Sequence, residues 1–127
     1  MRATSSSLKI IPFSEGVAVS CDLEVSEPQL EVISEGFIPK DMDDKWFIFY
    51  EKPYLYFHRS WTGQPVSRLR FSKASSGYQV TELLVSPEMG NHLESWGDIA
   101  IYMVRRKLLG EDVPFPKTPK DILGKKA

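Results

Sequence analysis

Tyr54-Leu55-Tyr56-Phe57-His58-Arg59-Ser60-Trp61-Thr62-Gly63 is the run that decides the fold. It begins as an aromatic strand, adds three polar groups with chemical potential, and stops at a glycine. A second aromatic run, Lys45-Trp46-Phe47-Ile48-Phe49-Tyr50, lies upstream, and the short polar connection Glu51-Lys52-Pro53 joins the two. Aromatic and β-branched runs so joined predict an antiparallel hairpin, here with two unusually apolar faces. A sheet with a spare aromatic face must hide it, share it or bind something with it.

Further along, Val66 to Ser72 reads as a third strand. The polar loop Ser72-Lys73-Ala74-Ser75-Ser76-Gly77 follows, and Tyr78 to Val85 makes a fourth strand. Tight connections between successive strands imply a β-meander. A helix is then predicted, with Ser95 and Asp98 as its capping box, Ile99 to Val104 as its body, Arg105-Arg106-Lys107 at its negative end and Gly110 as its stop. Its apolar surface is wide enough to require a sheet beneath it. The expected fold is therefore α+β: an antiparallel β-meander with a C-terminal helix packed on one face.

The N-terminal third is less regular. Leu8-Lys9-Ile10-Ile11, Gly16 to Cys21 and Leu30 to Ile33 are short and rich in branched residues, with Pro12, Gly16, Pro28 and Gly36 between them. Alternation at Leu30 and Val32 favours a strand, and a short helix opened by Pro28 is the alternative. Residues 1–7 read as a frayed start. Residues 112–127, with three prolines and four lysines, read as an extended, solvated tail.

At 127 residues the chain is expected to form one domain, 1–127, with a core that needs no staples. Hydrophobic content of 42% and charged content of 26% argue against disorder. A net charge of -1 gives no global field for polyanions, so a nucleic-acid binder would need a local basic patch. The single cysteine, Cys21, permits no intramolecular disulfide and no cysteine metal cluster. The apolar stretch Leu8 to Phe13 is too short for a signal peptide, and no run approaches the roughly 20 residues of a membrane span. A cytoplasmic protein with no membrane partner is expected.

If Tyr50 lies opposite Tyr54, then Phe47 and Phe49 share the core face with Leu55, Phe57, Leu69 and Phe71. The opposite face then carries Trp46, Ile48, Tyr50, Tyr54, Tyr56, His58, Arg68 and Arg70. Rings interleaved with cations on such a face can stack bases and hold phosphates. Cover by the N-terminal segment or by a second copy of the chain is the favoured reading, since such faces are commonly covered. The candidate aromatic and basic face is thus Trp46, Tyr54, Tyr56, Arg68 and Arg70.

His58, Arg59 and Trp61 form the best catalytic-looking cluster, with Asp43 and Asp44 nearby, and together they are the candidate ligand site. Adjacent strand residues face opposite ways, so His58 and Arg59 cannot serve one substrate unless the strand ends there. Ser60 is too far along the strand from His58 for a nucleophile pair. Arg59 is expected to bond loop carbonyls or a carboxylate such as Asp43 or Asp44, with anion binding as its functional alternative. Asp41, Asp43 and Asp44 read as a solvated turn rather than a cation loop. His92 with Glu88 or Glu94 is a weaker acid–base or metal pair, and Cys21 reads as a small core residue. No catalytic residue, metal site or cofactor is expected, and no phosphate loop or nucleophile elbow is present.

Asp44 to Tyr50, Leu55 to Gly63 and Leu69-Arg70-Phe71 together resemble a set of small, mostly bacterial, uncharacterised proteins. These share a W-x-I/F strand, an LYFHRSWTG-type strand and a C-terminal helix. The resemblance spans about half the chain, from Asp44 to about Leu109, and implies fold and kinship but no activity. This chain departs from it at Glu51-Lys52-Pro53, where an Asp-Gly-type turn would be expected.

Three functions follow as expectations. The first is a non-enzymatic protein-interaction or accessory module, with a protein partner or a second copy of the chain. The second is a site for a phosphorylated or nucleotide-like ligand at the hairpin end. The third is single-stranded nucleic-acid binding through the aromatic and arginine face, the least favoured of the three but still open.

Overall fold

The structure, a computed structural model, describes residues 2–41, 43–90 and 92–116. Its centre is a six-stranded antiparallel sheet in the order β1-β6-β5-β4-β3, with β2 also paired to β6. The strands are β1 (Val17–Val19), β2 (Glu24–Val25), β3 (Trp46–Glu51), β4 (Tyr54–Arg59), β5 (Pro65–Ala74) and β6 (Gly77–Val85). Consecutive strands β3 to β6 are neighbours, which is the expected meander, and β1 and β2 follow one another along the outer edge of β6. The helical elements are α1 (Glu27–Ile33) and α2 (Trp96–Tyr102), and α2 continues as a π-helical turn over Met103–Leu108.

The first hairpin is one residue out of the expected register. Glu51 pairs with Tyr54 and Tyr50 with Leu55, so the connection is the two-residue turn Lys52-Pro53, with a cis peptide between them. One residue fewer in the loop sends every β3 side chain to the other face, while β4 keeps its own. Trp46, Ile48, Leu55, Phe57, Leu69 and Phe71 therefore belong to one buried cluster. Phe47 and Phe49 lie on the far side, with Tyr56 packed against them. In the β4–β5 pairing Tyr56 meets Arg68 and Tyr54 meets Arg70, so these four residues share one face as expected. A bulge between Phe57 and His58 then pairs His58 with Pro65.

The main core unites that cluster with Trp96, Ile99, Ala100, Met103, Val104 and Leu108 of the C-terminal helix, and with Leu30 and Ile33 of α1. The Trp46 and Trp96 rings meet edge to face with centroids 6.1 Å apart. Ser95 does not cap α2, because its own backbone is already helical and its side chain makes no cap bond; a 3₁₀ turn, Leu93–Ser95, precedes the helix instead. Gly110 does stand at positive φ just past the helix.

Residues 27–33 are helical rather than extended. Ser26 Oγ accepts from the Gln29 amide at 3.2 Å, and Gln29 Oε1 accepts from the Ser26 amide at 2.8 Å. That reciprocal capping box, with Pro28 in the first turn, outweighs the alternation at Leu30 and Val32. Leu30 and Ile33, three apart, turn inward and Val32 is left exposed.

The remaining N-terminal chain, residues 2–13, contains no strand and runs as a strap over the second sheet face. Ala3 is fully buried with Phe47 and Phe49, and Leu8 and Ile10 pack on the same cluster. The Ala3 amide donates to the Glu35 carbonyl at 2.7 Å and the Ile11 amide to the Gly63 carbonyl at 2.9 Å. The expected fray at residues 1–7 is thus anchored from Ala3 onward. At the other end, Asp112 pairs with Arg106 and the Phe115 ring lies edge-on to Tyr102, while residues 117–127 of the expected tail lie outside the described residues.

Loss of the Ser26 cap in Ser26→Ala should lower unfolding stability by about 1 kcal/mol in urea titrations. Phe57→Ala, which empties a buried site in the main core, should cost about 3–5 kcal/mol. A neutral Ser26→Ala would argue against the capped α1.

Candidate functional site

Two hydrogen bonds from Ser60, one from its backbone and one from its side chain, bring the ends of β3 and β4 together. The Ser60 amide donates to the Lys45 carbonyl at 3.0 Å, and Ser60 Oγ donates to the Asp44 carbonyl at 2.7 Å. The chain then turns through Trp61-Thr62-Gly63, with the Gly63 amide donating to the Arg59 carbonyl and the Arg59 amide to the Gln64 carbonyl, each at 2.9 Å. Gly63 has a φ of +74°, and a Cβ there would meet the Lys9 carbonyl oxygen at 2.7 Å and the Ile10 Cα at 2.8 Å. Glycine is required both for the turn and for the strap that crosses it.

This turn opens on a cavity of about 350 Å³ lined by Lys45, Arg59, Trp61, Thr62 and Gln64. Arg59 lies half-buried with its guanidinium carbon 4.7 Å from the centroid of the Trp46 ring. Burial pushes its pKa down from 12.5, yet a guanidinium in that range remains charged at neutral pH. Among the described residues no carboxylate is in ion-pair contact with Arg59. Trp61 stands 65% exposed at the rim. The Gln64 side chain donates to Glu88 Oε1 at 3.0 Å, and Glu88 is not among the residues lining the cavity. A smaller cavity of about 140 Å³ adjoins it through Lys45, lined also by Asp43, Trp46, Tyr102, Lys107 and Phe115.

The five candidate ligand residues fall in four places, with His58 apart from the others. Arg59 and Trp61 share the larger cavity, and Asp43 lines the smaller one. Asp44 is spent within its own loop, since its Oδ2 accepts the Lys40 amide at 2.8 Å. Asp41 Oδ1 likewise accepts the Asp43 amide at 2.9 Å, so the acidic stretch is a self-bonded turn. Neither Asp43 nor Asp44 pairs with Arg59 in the described residues. Lys45 and Gln64 were missed by the sequence reading, because only the tie between strand ends brings them beside Arg59.

His58 is on the opposite face, fully buried beneath the strap. Its Nε2 is 3.1 Å from the Ile11 carbonyl oxygen. A carbonyl only accepts, so the proton is on Nε2. Nδ1 is then the unprotonated nitrogen, buried with no partner among the described residues. The ring stacks on Phe49 with centroids 5.4 Å apart, and Tyr56 stacks on Phe49 at 4.9 Å. Burial lowers the His58 pKa below 6.5, partly opposed by the bond to Ile11.

The expected aromatic and basic face is rearranged. Trp46 leaves it, because the register places that ring in the main core. Arg68 lies 4.0 Å from the Tyr54 ring centroid and 5.4 Å from that of Phe13, and it pairs with Glu82 at 3.4 Å. Arg70 is exposed, 5.9 Å from Tyr54. Tyr56 is covered in part by its packing with Phe49 and the strap cluster. These groups are largely engaged with one another and with the N-terminal strap.

No group of three or more His, Cys, Asp or Glu side chains able to hold a metal occurs among the described residues. No helix among them is long and apolar enough to cross a membrane. Cys21 is half-buried, with its thiol 3.9 Å from the Gly97 carbonyl. Burial, then Asp22 and Asp98, pushes its pKa up to about 12. Comparison with protein-family models, curated proteins and solved structures gave no match.

At about pH 8, iodoacetamide should alkylate Cys21 of the folded chain at least about a hundredfold more slowly than in denaturant, because burial leaves little thiolate and hinders access. Comparable rates would show that the thiol is neither buried nor shifted.

Proposed function

We propose that the chain is a non-enzymatic interaction module whose contact surface is the Arg59–Trp61 end of the first hairpin. Its partner is a protein segment that offers an acidic side chain beside an apolar one. The observation that carries this reading is Arg59: a half-buried guanidinium facing a cavity, with no carboxylate paired to it among the described residues. A desolvated cation left in this state gains most from an incoming anion, which forms charge-assisted hydrogen bonds that water supplies only weakly. Trp61 and Arg59 are also residue types over-represented among those that dominate binding energy, and here they flank one opening. The C-terminal helix would hold the wall behind Arg59 rigid through the Trp96–Trp46 contact.

Catalysis is the weaker reading because the groups suggested for it do not converge. His58 serves the other face and the Asp44 carboxylate caps its own loop. A phosphorylated small molecule is the second reading, favoured by a cavity volume within the range of ligand sites. Nucleic-acid binding has least support, since Arg68 is held between Tyr54 and Phe13. A cytoplasmic setting and kinship with the small bacterial proteins complete the proposal.

Selection of displayed peptides on the folded chain is expected to enrich Asp or Glu next to an aromatic or aliphatic residue. Arg59→Ala and Trp61→Ala should each weaken the selected peptide about tenfold or more, with Arg59→Lys retaining part of the affinity. Peptides without acidic bias, or binding unchanged in both folded alanine variants, would overturn the assignment. A thermal shift with sugar phosphates or nucleotides, absent in Arg59→Ala, would move it to the small-molecule reading.

A further inference from the structure

The geometry points to a proton-gated cover: gain of a proton by His58 lifts the strap of residues 2–13 from the second sheet face and disturbs the Trp61–Gln64 turn beneath it. The regulatory half of this inference rests on the contact surface proposed above, whereas the lifting of the strap does not.

The strap touches the sheet at few polar points, and two of them meet at Ile11. Its carbonyl accepts from His58 Nε2, and its amide donates to the carbonyl of Gly63 in the turn that lines the cavity. Lys9 and Ile10 lie against the α-carbon of the same glycine. Whatever moves Ile11 therefore acts on the turn directly.

His58 can bind a second proton only at Nδ1. That atom is buried and has no acceptor among the described residues. The new N–H would be unsatisfied, and the charge would sit between Phe49, Tyr56 and the strap. An imidazolium in this slot gains most by reaching water, and the strap is what separates it from water.

The charged and titratable groups around it offer no relief. On the strap the nearest is Lys9; on β5 they are Arg68 and Arg70; on β4 they are Tyr54 and Tyr56; and β3 presents Phe47 and Phe49 there, with Glu51 at its far end. Lys9, Arg68 and Arg70 are cationic, and the carboxylate of Glu82 is held by Arg68.

The sign follows from which form is released. The covered state holds the neutral ring, with a pKa below 6.5, and the uncovered state returns it towards 6.5. Cover stability is complete above that ordinary value and declines as pH falls beneath it, until the covered ring itself titrates.

The test follows amide exchange and the histidine ring nitrogens by NMR on the full chain, from about pH 7.5 to about pH 5. Protection of the Ile11 amide should fall about tenfold or more as His58 gains its proton, while the Phe71 and Val80 amides hold theirs. In His58→Gln, whose amide can donate to Ile11 without titrating, protection should stay flat with pH. Constant Ile11 protection while His58 protonates, or an equal fall in His58→Gln, overturns the gate. If that variant does not fold, the wild-type comparison of ring titration with Ile11 exchange decides alone. The acidic peptide is measured on the same samples. No binding at about pH 7.5 overturns the contact surface and leaves the gate standing, and affinity unchanged by strap release overturns the regulatory half.

Discussion

Glu51 pairs with Tyr54 across a two-residue turn, and that pairing fixes the face of every β3 side chain. Side chains alternate along a strand, so the turn length is a switch with two settings. In the observed setting Trp46 and Ile48 join Leu55 and Phe57 in the main core, and Phe47 and Phe49 are sent to the far side. The consequences run in both directions from there. Trp46 becomes the platform on which Arg59 rests at the cavity. Phe47 and Phe49 become an apolar surface that a single helix layer cannot cover.

The strap answers the second consequence. Burying Phe47 and Phe49 is worth roughly 1.5–3 kcal/mol each, whereas one neutral hydrogen bond contributes about 1 kcal/mol. Apolar contact therefore supplies most of the adhesion, and the bond from His58 to Ile11 sets where the strap lies. A histidine suits that role in one respect: Nε2 supplies the donor that a carbonyl needs. It is awkward in another, because Nδ1 is left buried without a partner among the described residues. Glutamine could also donate to Ile11, with its own acceptor oxygen left to satisfy. The choice of an ionisable donor makes the cover sensitive to acid, and it does so on the face away from Arg59.

The meander was legible because each strand of it carries a strong local signal: aromatic and β-branched runs bounded by turn residues. The hairpin register was not, since Glu51-Lys52-Pro53 accommodates either a two- or a three-residue connection, and local pattern is equally apolar on both faces of β3. Residues 27–33 misled for a related reason. Leu30 and Val32 alternate as in a strand, but Ser26, Pro28 and Gln29 upstream carry a helix start that alternation ignores. At the site, Arg59 and Trp61 stood out as residue types in an unusual run. Lys45 and Gln64 joined them only through backbone ties between strand ends, which no spacing rule encodes. The separation of His58 from Arg59 was readable, because adjacent strand residues must diverge.

Most of the His58–Gly63 run is accounted for by packing. His58 holds Ile11, Ser60 ties β4 to the Asp44 carbonyl, and Gly63 admits the strap backbone where any Cβ would collide. Those positions are explained without invoking a ligand. Arg59 is explained only in part: stacking on Trp46 is favourable by roughly 0.5–2 kcal/mol, but leucine or methionine could cover the same ring without losing hydration of a charge. Trp61 stands at the same opening with two thirds of its surface in solvent. Folding alone gives weak reason for a half-dry cation there. An external anionic partner gives one, because it restores to the guanidinium the interactions that burial removed.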